Sequence, residues 1–433
     1  MKFLLRTQAM DSSPSPPECL SGWRTAGPGR ESNLHNMKYC IIIPDGMADY
    51  KLEKLSNRTP LEAARTPNLD NITSSGVLGL VNTIPKRFKP GSDVACLSVL
   101  GYDPEVYYTG RAPLESASLG IKLGKQDWAV RCNLITINDD ILEDFTAGHI
   151  SDNEAKLIIS ILNENLGNSN ISFYAGKSYR NIMVYNGDIM IEADCTPPHD
   201  IIGKSIRKYL PKGNGSEILI DLMKSSHHLL VNHDVNKVRI DLGENPANMI
   251  WLWGQGQRPS LVPFKELYGI SGAVITGVDL LKGLATYLDW NIIDVPGATA
   301  YFDTDYDAKA RYAIKAMETH DLVLIHIEAP DEAGHEGNIH EKIRAIENID
   351  KKIIGPVFDA LKKYNEFRML ILPDHYTPII KRTHTSEPVP FTIYSTDSGE
   401  KSNLSFSESN AEQTGLRVKK GYKLMSHFIE GNL

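Results

Sequence analysis

The sequence predicts an α/β protein whose core is interrupted by a smaller inserted α+β domain. Short apolar runs such as 322–327 and 368–372 are bounded by chain-breaking residues, which is typical of buried strands. Helical patterns such as 305–319 alternate with these runs. Between about 118 and 260 the pattern changes to short strands with helices of their own, so we expect a separate inserted domain there.

Length and charge exclude several classes of protein. The 433 residues are enough for two or more domains. The net charge of −8 offers no electrostatic support for binding nucleic acid or an acidic membrane surface. No apolar run approaches the roughly 18–20 residues of a membrane span. We therefore expect partners to be small molecules, with neither nucleic acid nor membrane, and we leave open whether the chain forms a homo-oligomer.

The five cysteines are scattered, odd in number and without C-x-x-C spacing. This pattern argues against a disulfide framework and against a thiolate zinc site, and it favours a reducing cytoplasm. The first 36 residues are rich in turn-forming residues and lack apolar periodicity. We interpret residues 1–36 as a disordered extension or as a mis-called start upstream of Met37.

The first predicted strand, K-Y-C-I-I-I-P-D-G at 38–46, ends on Asp45. A carboxylate at the end of a strand is a favoured place for a site residue in α/β sheets, although a turn aspartate before glycine is also common. A helix is expected within 60–75 and a further strand at 77–81.

Ser92 follows Pro90-Gly91 and begins an apolar helical pattern. It is either an ordinary N-cap or a nucleophile. Backbone N–H groups and the helix dipole favour an anion at this position. A metal-bound serine hydroxyl can lose its proton and attack a phosphoryl group.

The inserted region contains candidate anion-binding side chains. Strands are predicted at 128–137, 171–174 and 179–185, with helices near 200–209 and 216–231. The guanidinium fork of arginine matches carboxylate and phosphate oxygens. The candidates within the insert are Arg131, Arg180 and His199, although any single arginine of this kind is more often a surface or structural residue.

The C-terminal part contains a set of residues competent to bind metal. The motif P-D-E-A-G-H at 330–335 follows a predicted strand at 322–327. The motif L-P-D-H-Y-T-P at 372–378 follows another predicted strand at 368–372, and R-T-H-T-S-E-P is found at 382–388. Mixed carboxylate and imidazole ligands suit Mn, Zn, Co or Fe better than Ca or Mg. Each group alone could be a solvated turn, but the three in succession favour a metal site. Its residues are Asp331, His335, Asp374, His375 and His384.

These motifs, together with I-I-P-D-G-M-A-D at 42–49, P-G-S-D-V-A at 90–95 and Y-T-G-R-A-P-L-E at 108–115, resemble a known family. It is the archaeal-type branch of the cofactor-independent (2,3-bisphosphoglycerate-independent) phosphoglycerate mutases, within the alkaline phosphatase superfamily. The resemblance spans about 37–433. It implies a three-layer core with a mainly parallel sheet, formed by 37–117 and 261–433. The insert at 118–260 would be a substrate-binding lid.

The resemblance also implies roles for individual residues. Ser92 would be the phosphorylated nucleophile. One metal would be bound by Asp331, His335 and His384, and the other by Asp45, Ser92, Asp374 and His375. The implied substrate residues are Arg111, Arg131, His149, Arg180, His199 and Arg258. Two divalent ions are expected, with Mn first and Zn, Co or Mg as alternatives, and 2,3-bisphosphoglycerate is not required.

The implied reaction interconverts 3-phosphoglycerate and 2-phosphoglycerate through a phosphoserine. A homoserine kinase-like phosphotransferase of the same branch would share the metal set, although the chain has no G-x-x-x-x-G-K-[ST] loop for nucleotide. A metal-dependent phosphatase or phosphonate hydrolase is a third alternative. A non-enzymatic metal-binding scaffold is the fourth, and it is disfavoured because all seven ligand positions are filled by competent residues.

Overall fold

A computed structural model describes residues 37–433, so the predictions for residues 1–36 lie outside the described residues. The strands are β1 (Lys38–Pro44), β2 (Val77–Val81), β3 (Trp128–Asn138), β4 (Ile141–Asp144), β5 (Ile171–Lys177), β6 (Arg180–Tyr185), β7 (Met249–Gln257), β8 (Gly272–Ile275), β9 (Asn291–Ile292), β10 (Leu322–Ile327), β11 (Phe367–Ile371), β12 (Val389–Ser395) and β13 (Arg417–Val418).

The helices begin with α1 (Pro60–Ala63), α2 (Pro67–Ser74), α3 (Ser92–Val99), α4 (Pro104–Tyr107), α5 (Arg111–Ser118), α6 (Asp152–Leu166), α7 (Ser216–Leu230) and α8 (Asp234–Asp241). They continue with α9 (Phe264–Tyr268), α10 (Asp279–Tyr287), α11 (Tyr306–Ala316), α12 (Ala329–Glu336), α13 (Ile339–Ile349), α14 (Gly355–Leu361), α15 (Glu408–Gln413) and α16 (Lys423–Glu430). Across residues 37–433, no helix is both long enough and apolar enough to cross a membrane.

The larger sheet has the strand order β13-β2-β12-β11-β1-β10-β8-β9. Strands β11, β1, β10, β8 and β9 run parallel, and β12 is antiparallel to its neighbours β11 and β2. Successive side chains of a strand point to opposite faces of the sheet. Along β1, Ile41 and Ile43 pack into one hydrophobic core, and Cys40 and Ile42 pack into another. Both faces are therefore covered, and the predicted α/β core with a mainly parallel sheet is confirmed.

The smaller sheet is antiparallel and has the order β4-β3-β6-β5, with β7 pairing with β3. A third hydrophobic core lies between this sheet and its helices, and its buried members all fall between Val130 and Trp253. In β3, Arg131 pairs with Ile182 of β6 and with Trp253 of β7. The domain boundaries at 117/118 and 260/261 stay a prediction.

Some predicted elements were wrong in detail. The helix expected near 200–209 is replaced by two short 3₁₀ turns, Pro198–Ile201 and Ile206–Tyr209, separated by Gly203 at φ +72°. Glycine readily adopts this left-handed conformation and ends helical structure. The amphipathic pattern of residues 410–430 predicts a helix, but this segment is interrupted by Gly415 at φ +70° and by β13.

A buried ion pair connects helix α13 to the loop that follows β1, and a further hydrogen bond connects it to the loop that follows β11. Lys342 Nζ lies 2.8 Å from Asp49 Oδ2, and both side chains are fully buried. The same ammonium donates to the carbonyl of Thr377 at 2.8 Å. Removing one partner of such a pair leaves an uncompensated buried charge.

We expect Lys342→Met to lower the free energy of unfolding by about 3–5 kcal/mol, because the Asp49 carboxylate would lose its counter-ion inside the protein. Urea-induced unfolding followed by circular dichroism measures the change. The matched control is Lys362→Met, which removes an exposed pair to Asp359 and should change stability by less than about 0.5 kcal/mol. Equal effects of the two substitutions would contradict a stabilising role for the buried pair.

Candidate active site

The seven residues predicted to bind metal lie together at the carboxyl ends of neighbouring strands of the larger sheet. Strand β1 lies between β10 and β11, and all three run parallel. Asp45 follows β1, Asp331 lies in α12 just after β10, and Asp374 follows β11. Parallel strands present their carboxyl ends at one edge, which is where sites form in such sheets.

The first group of donors consists of Asp331, His335 and His384. Asp331 and His335 are four residues apart in α12, so both side chains lie on one face of this helix. His335 Nε2 lies 3.2 Å from Asp331 Oδ2, and His384 Nε2 lies 3.5 Å from Asp331 Oδ1. The two imidazole Nε2 atoms are 2.9 Å apart. Three donor atoms thus converge on one small volume.

The second group consists of Asp45, Ser92, Asp374 and His375. His375 Nε2 lies 3.4 Å from Asp45 Oδ1, 3.4 Å from Asp374 Oδ2 and 3.1 Å from Ser92 Oγ. Ser92 Oγ is also 3.5 Å from Asp45 Oδ2. Ser92 is the first residue of α3, so its hydroxyl lies at the N-terminal end of that helix.

The two groups are adjacent. The ring centroids of His375 and His384 are 4.2 Å apart, and Asp331, His375 and His384 each offer one donor atom within 4.8 Å of the others. Backbone groups orient the carboxylates, since Asp374 Oδ1 accepts from the N–H of Gly46 at 3.2 Å and of His375 at 3.0 Å.

Gly46 is required by the close packing of the two loops. It has φ +58°, and a Cβ at this position would come within 2.4 Å of Asp331 Oδ1 and of Thr377 Oγ1. Thr377 donates its hydroxyl to Asp331. The P-D-G turn after β1 can therefore approach the metal-competent residues only because residue 46 has no side chain.

The pKa shifts follow from burying several carboxylates together. Burial raises the pKa of Asp45 well above its usual range, and the charges of Asp374 and Asp331 raise it further. Burial would also raise the pKa of Asp331, but the charges of two nearby histidines outweigh it and bring this pKa well below its usual range. Burial lowers the pKa of His375 to about 4. The neutral imidazole keeps a lone pair for a ligand, and the crowded carboxylates favour a bound cation.

These residues fit the divalent metal ions that the sequence resemblance implies. Asp45 Oδ1 is buried and has no hydrogen-bond partner among the described residues, so it is available to a cation. Asp45, Asp374 and His375 each offer a donor atom within 4.8 Å of the others. Carboxylate, hydroxyl and imidazole donors suit Mn, Zn, Co or Fe.

A cluster of arginines lies where α5 meets strand β3 of the smaller sheet. Glu115 Oε1 lies 2.9 Å from Arg111 Nε within α5 and 3.2 Å from Arg131 Nη1 of β3. Burial alone would raise the pKa of Glu115, but the charges of Arg131 and Arg111 outweigh it and lower the pKa, with a smaller contribution from Arg180. Glu115 thus pairs with two arginines, Arg111 and Arg131, and Arg180 acts on it through its charge.

Arg131 is held rigidly and has a free donor. Its guanidinium stacks on the ring of Trp253 at 4.7 Å, and its Nε–H is buried without a hydrogen-bond partner in residues 37–433. The ring of His199 lies against the same Trp253 at 5.6 Å. Burial lowers the pKa of His199 to about 4, and the charges of Arg131 and His384 contribute to the shift. His199 and Arg131 therefore lie against the same tryptophan ring.

Two predicted substrate residues are not brought into this cluster. His149 is exposed at φ +53°, and the described residues show no hydrogen bond or ion pair from its imidazole to the site. Arg258 is exposed, and its charge acts on the pKa of Tyr287, whose main shift is an increase through burial. Arg111, Arg131, Arg180 and His199 are the predicted substrate residues that the fold places together.

Sequence reasoning missed a layer of buried polar residues behind Asp45. His326 Nε2 lies 3.3 Å from Asp45 Oδ2, and His326 Nδ1 lies 2.9 Å from Glu328 Oε1. Glu328 in turn pairs with Lys309 at 3.2 Å. The available signal was a histidine inside the otherwise apolar strand β10.

The comparisons with known proteins agree with one another. A family model described as 2,3-bisphosphoglycerate-independent phosphoglycerate mutase matches residues 73–236. The protein of that name from Methanosarcina mazei is 50% identical over 396 residues, which cover 91% of this chain and 100% of the relative. A protein from Geobacter sulfurreducens, named a probable enzyme of the same kind, is 44% identical over 400 residues, covering 91% and 100% of the two chains.

Two solved structures are similar to this chain over nearly their whole length. A protein from Pyrococcus horikoshii matches with a TM-score of 0.75 and 27% identity over 91% of this chain and 97% of its own. The cofactor-independent phosphoglycerate mutase from Thermoplasma acidophilum matches with a TM-score of 0.62 and 26% identity, covering 91% of this chain and 99% of its own.

Proposed function

Because the chain belongs to the family of 2,3-bisphosphoglycerate-independent phosphoglycerate mutases, which are isomerases, we propose that it interconverts 3-phosphoglycerate and 2-phosphoglycerate by way of a phosphorylated Ser92. This is a step of glycolysis and gluconeogenesis. The observation that carries the proposal is the position of Ser92 Oγ, 3.1 Å from His375 Nε2 and 3.5 Å from Asp45 Oδ2.

Ser92 is the nucleophile of this proposal. In the first half-reaction its Oγ forms a bond to phosphorus while the bond from phosphorus to the 3-oxygen of the substrate breaks. In the second, the 2-hydroxyl of the same glycerate forms the new bond, and Ser92 Oγ leaves. The positive end of the α3 dipole, where Ser92 lies, favours the dianionic phosphoserine. The reaction balances because one phosphoryl group moves to Ser92 and back, and in each half-reaction the attacking hydroxyl releases a proton while the oxygen that leaves takes one up.

Two divalent cations complete the proposed site. Asp331, His335 and His384 would bind one, and Asp45, Ser92, Asp374 and His375 would bind the other, with Mn as the first choice. Bound ions lower the pKa of a coordinated hydroxyl and stabilise charge on attacking and leaving oxygens. Because His375 has a pKa near 4, its ring is neutral at physiological pH and can serve as a ligand.

The arginine cluster would bind the anionic substrate. Arg131 has an unpartnered buried Nε–H and is immobilised by Trp253 and Glu115. A preorganised guanidinium loses little entropy when it binds a carboxylate or phosphate. Arg111, Arg180 and His199 lie close by. His149 and Arg258 would have to reach the substrate through a different arrangement of the chain.

Residues 118–260 would act as the substrate-binding lid over a core formed by 37–117 and 261–433. The proposed core and lid are in contact through the ion pair between Glu115 of α5 and Arg131 of β3. Keeping water away from a phosphoserine separates a mutase from a phosphatase. The lid would provide this exclusion and would retain the glycerate while it turns.

A coupled assay on the purified full-length chain tests the proposal. With 3-phosphoglycerate and Mn²⁺, we expect production of 2-phosphoglycerate, detected through enolase, without added 2,3-bisphosphoglycerate. A parallel reaction with homoserine and ATP should give no phosphohomoserine. Homoserine phosphorylation without mutase activity would overturn the proposed reaction, and release of inorganic phosphate as the main product would indicate a phosphatase.

A further inference from the structure

A second set of metal-competent donors lies behind the site described above. Cys96, His326 and Asp374 each offer one donor atom within 4.8 Å of the others, and all three residues are buried. We propose that these residues, with Asp45 as the fourth donor, bind an additional transition-metal ion of the zinc or cobalt class. This site goes beyond the proposed mutase reaction and does not depend on it.

The spacing of the donors matches a compact site. Cys96 Sγ lies 3.8 Å from Asp374 Oδ2, and His326 Nε2 lies 3.3 Å from Asp45 Oδ2. In a tetrahedral zinc site with Zn–S of about 2.3 Å and Zn–N of about 2.0 Å, neighbouring donors are about 3.3–3.5 Å apart. The imidazole–carboxylate spacing agrees with this value, and the thiol needs only a small movement.

The orientation of His326 is an independent observation that points to a ligand. Its Nδ1 faces Glu328 Oε1 at 2.9 Å, and this carboxylate is fixed by Lys309 Nζ at 3.2 Å and by Thr276 Oγ1 at 3.1 Å. Its Nε2 is fully buried and faces Asp45 Oδ2 at 3.3 Å, but no contact to a described residue has the geometry of a hydrogen bond. Metal-binding histidines characteristically use one ring nitrogen for a carboxylate and the other for the metal.

The fold explains why Cys96 and His326 meet. Cys96 is four residues after Ser92 in α3, so both side chains project from the same face of the helix. His326 pairs with Ile43 at the end of β1, two positions before Asp45. The helix supplies the thiol from one side, and the sheet edge supplies the imidazole and both carboxylates from the other.

The donor types select the class of metal. Thiolate and imidazole favour zinc or cobalt, whereas Mg and Mn prefer oxygen ligands. Asp45 would bridge the two regions, because its Oδ1 faces His375 at 3.4 Å and its Oδ2 faces His326. An ion in this position would hold Asp45 and Asp374 in the orientation that the proposed catalytic pair requires.

Cobalt substitution of the full-length protein tests the site. We expect the cobalt-loaded chain to show the near-ultraviolet charge-transfer absorption of a cobalt–thiolate bond. Elemental analysis should find one more cobalt ion per chain than in Cys96→Ser. The band should be lost in Cys96→Ser and kept in the control Cys132→Ser, which removes a buried cysteine of the smaller sheet. The other donors of the site are oxygen and nitrogen and give no such band.

Absence of the band, or equal cobalt content in the wild-type chain and Cys96→Ser, would overturn the proposal. Either result would mean that His326 carries a proton between its two carboxylates instead of a metal. A band with no additional ion would also overturn it, because Cys96 would then bind a member of the catalytic pair. If Cys96→Ser fails to fold, His326→Gln should lose the same ion. His335→Ala removes a proposed ligand of the catalytic pair and should keep the band. A failure of the proposed mutase site can therefore be distinguished from a failure of the additional metal site.

Discussion

Ser92→Ala should abolish mutase turnover, by at least about a thousandfold in kcat, while leaving the fold intact, because it removes the atom that we propose accepts the phosphoryl group. The hydroxyl contributes to no hydrophobic core, and its contacts are with Asp45 and His375. The enolase-coupled assay measures the loss, and circular dichroism checks the fold.

The matched control for this substitution is Ser98→Ala. Ser98 lies in the same helix, is buried, and has a hydroxyl without a hydrogen-bond partner among residues 37–433. It should keep nearly full activity. Mass spectrometry after mixing with 3-phosphoglycerate should detect added phosphate on the wild-type chain and none on Ser92→Ala. Substantial activity in Ser92→Ala would rule out the phosphoserine route.

Removal of divalent metal should reduce the activity to background, because the buried carboxylates Asp45, Asp331 and Asp374 would lose the cations that bring substrate oxygens and Ser92 together. We expect prolonged chelation to inactivate the enzyme and Mn²⁺ or Co²⁺ to restore it. Ca²⁺ should restore less, because the imidazole donors suit it poorly. Full activity of a chain shown to be metal-free by elemental analysis would contradict the proposed site.

Two histidine substitutions test whether the metal dependence of activity comes from the proposed ligand His384. His384→Gln should weaken metal binding and lower activity, because His384 Nε2 faces both Asp331 and His335. The control His427→Gln changes a half-buried histidine that hydrogen-bonds with Asn432, far along the chain from the proposed ligands, and should alter neither property. Similar metal affinity in the two variants would remove His384 from the proposed ligand set.

The strands that correspond to apolar runs in the sequence were predicted well. Strands β1, β10 and β11 are mainly apolar runs followed by proline, glycine or charged residues, and each could be located without knowing its neighbours. The residues that follow them carry most of the metal-competent groups. The elements predicted wrongly, at 200–209 and 410–430, are those in which glycine adopts positive φ within an otherwise helical composition.

The sequence by itself determined the α/β class, because that class depends on periodicity. It also predicted an inserted segment and five metal-competent residues from short motifs after strands, and the family resemblance added Asp45 and Ser92 to the predicted ligands. Only the tertiary structure decided which of these residues face one another, since Ser92 and His375 meet across 283 positions of the chain. It also placed Glu115 between two arginines and aligned His326 with Cys96 behind Asp45. Such contacts depend on strand order and helix orientation, which no local pattern encodes.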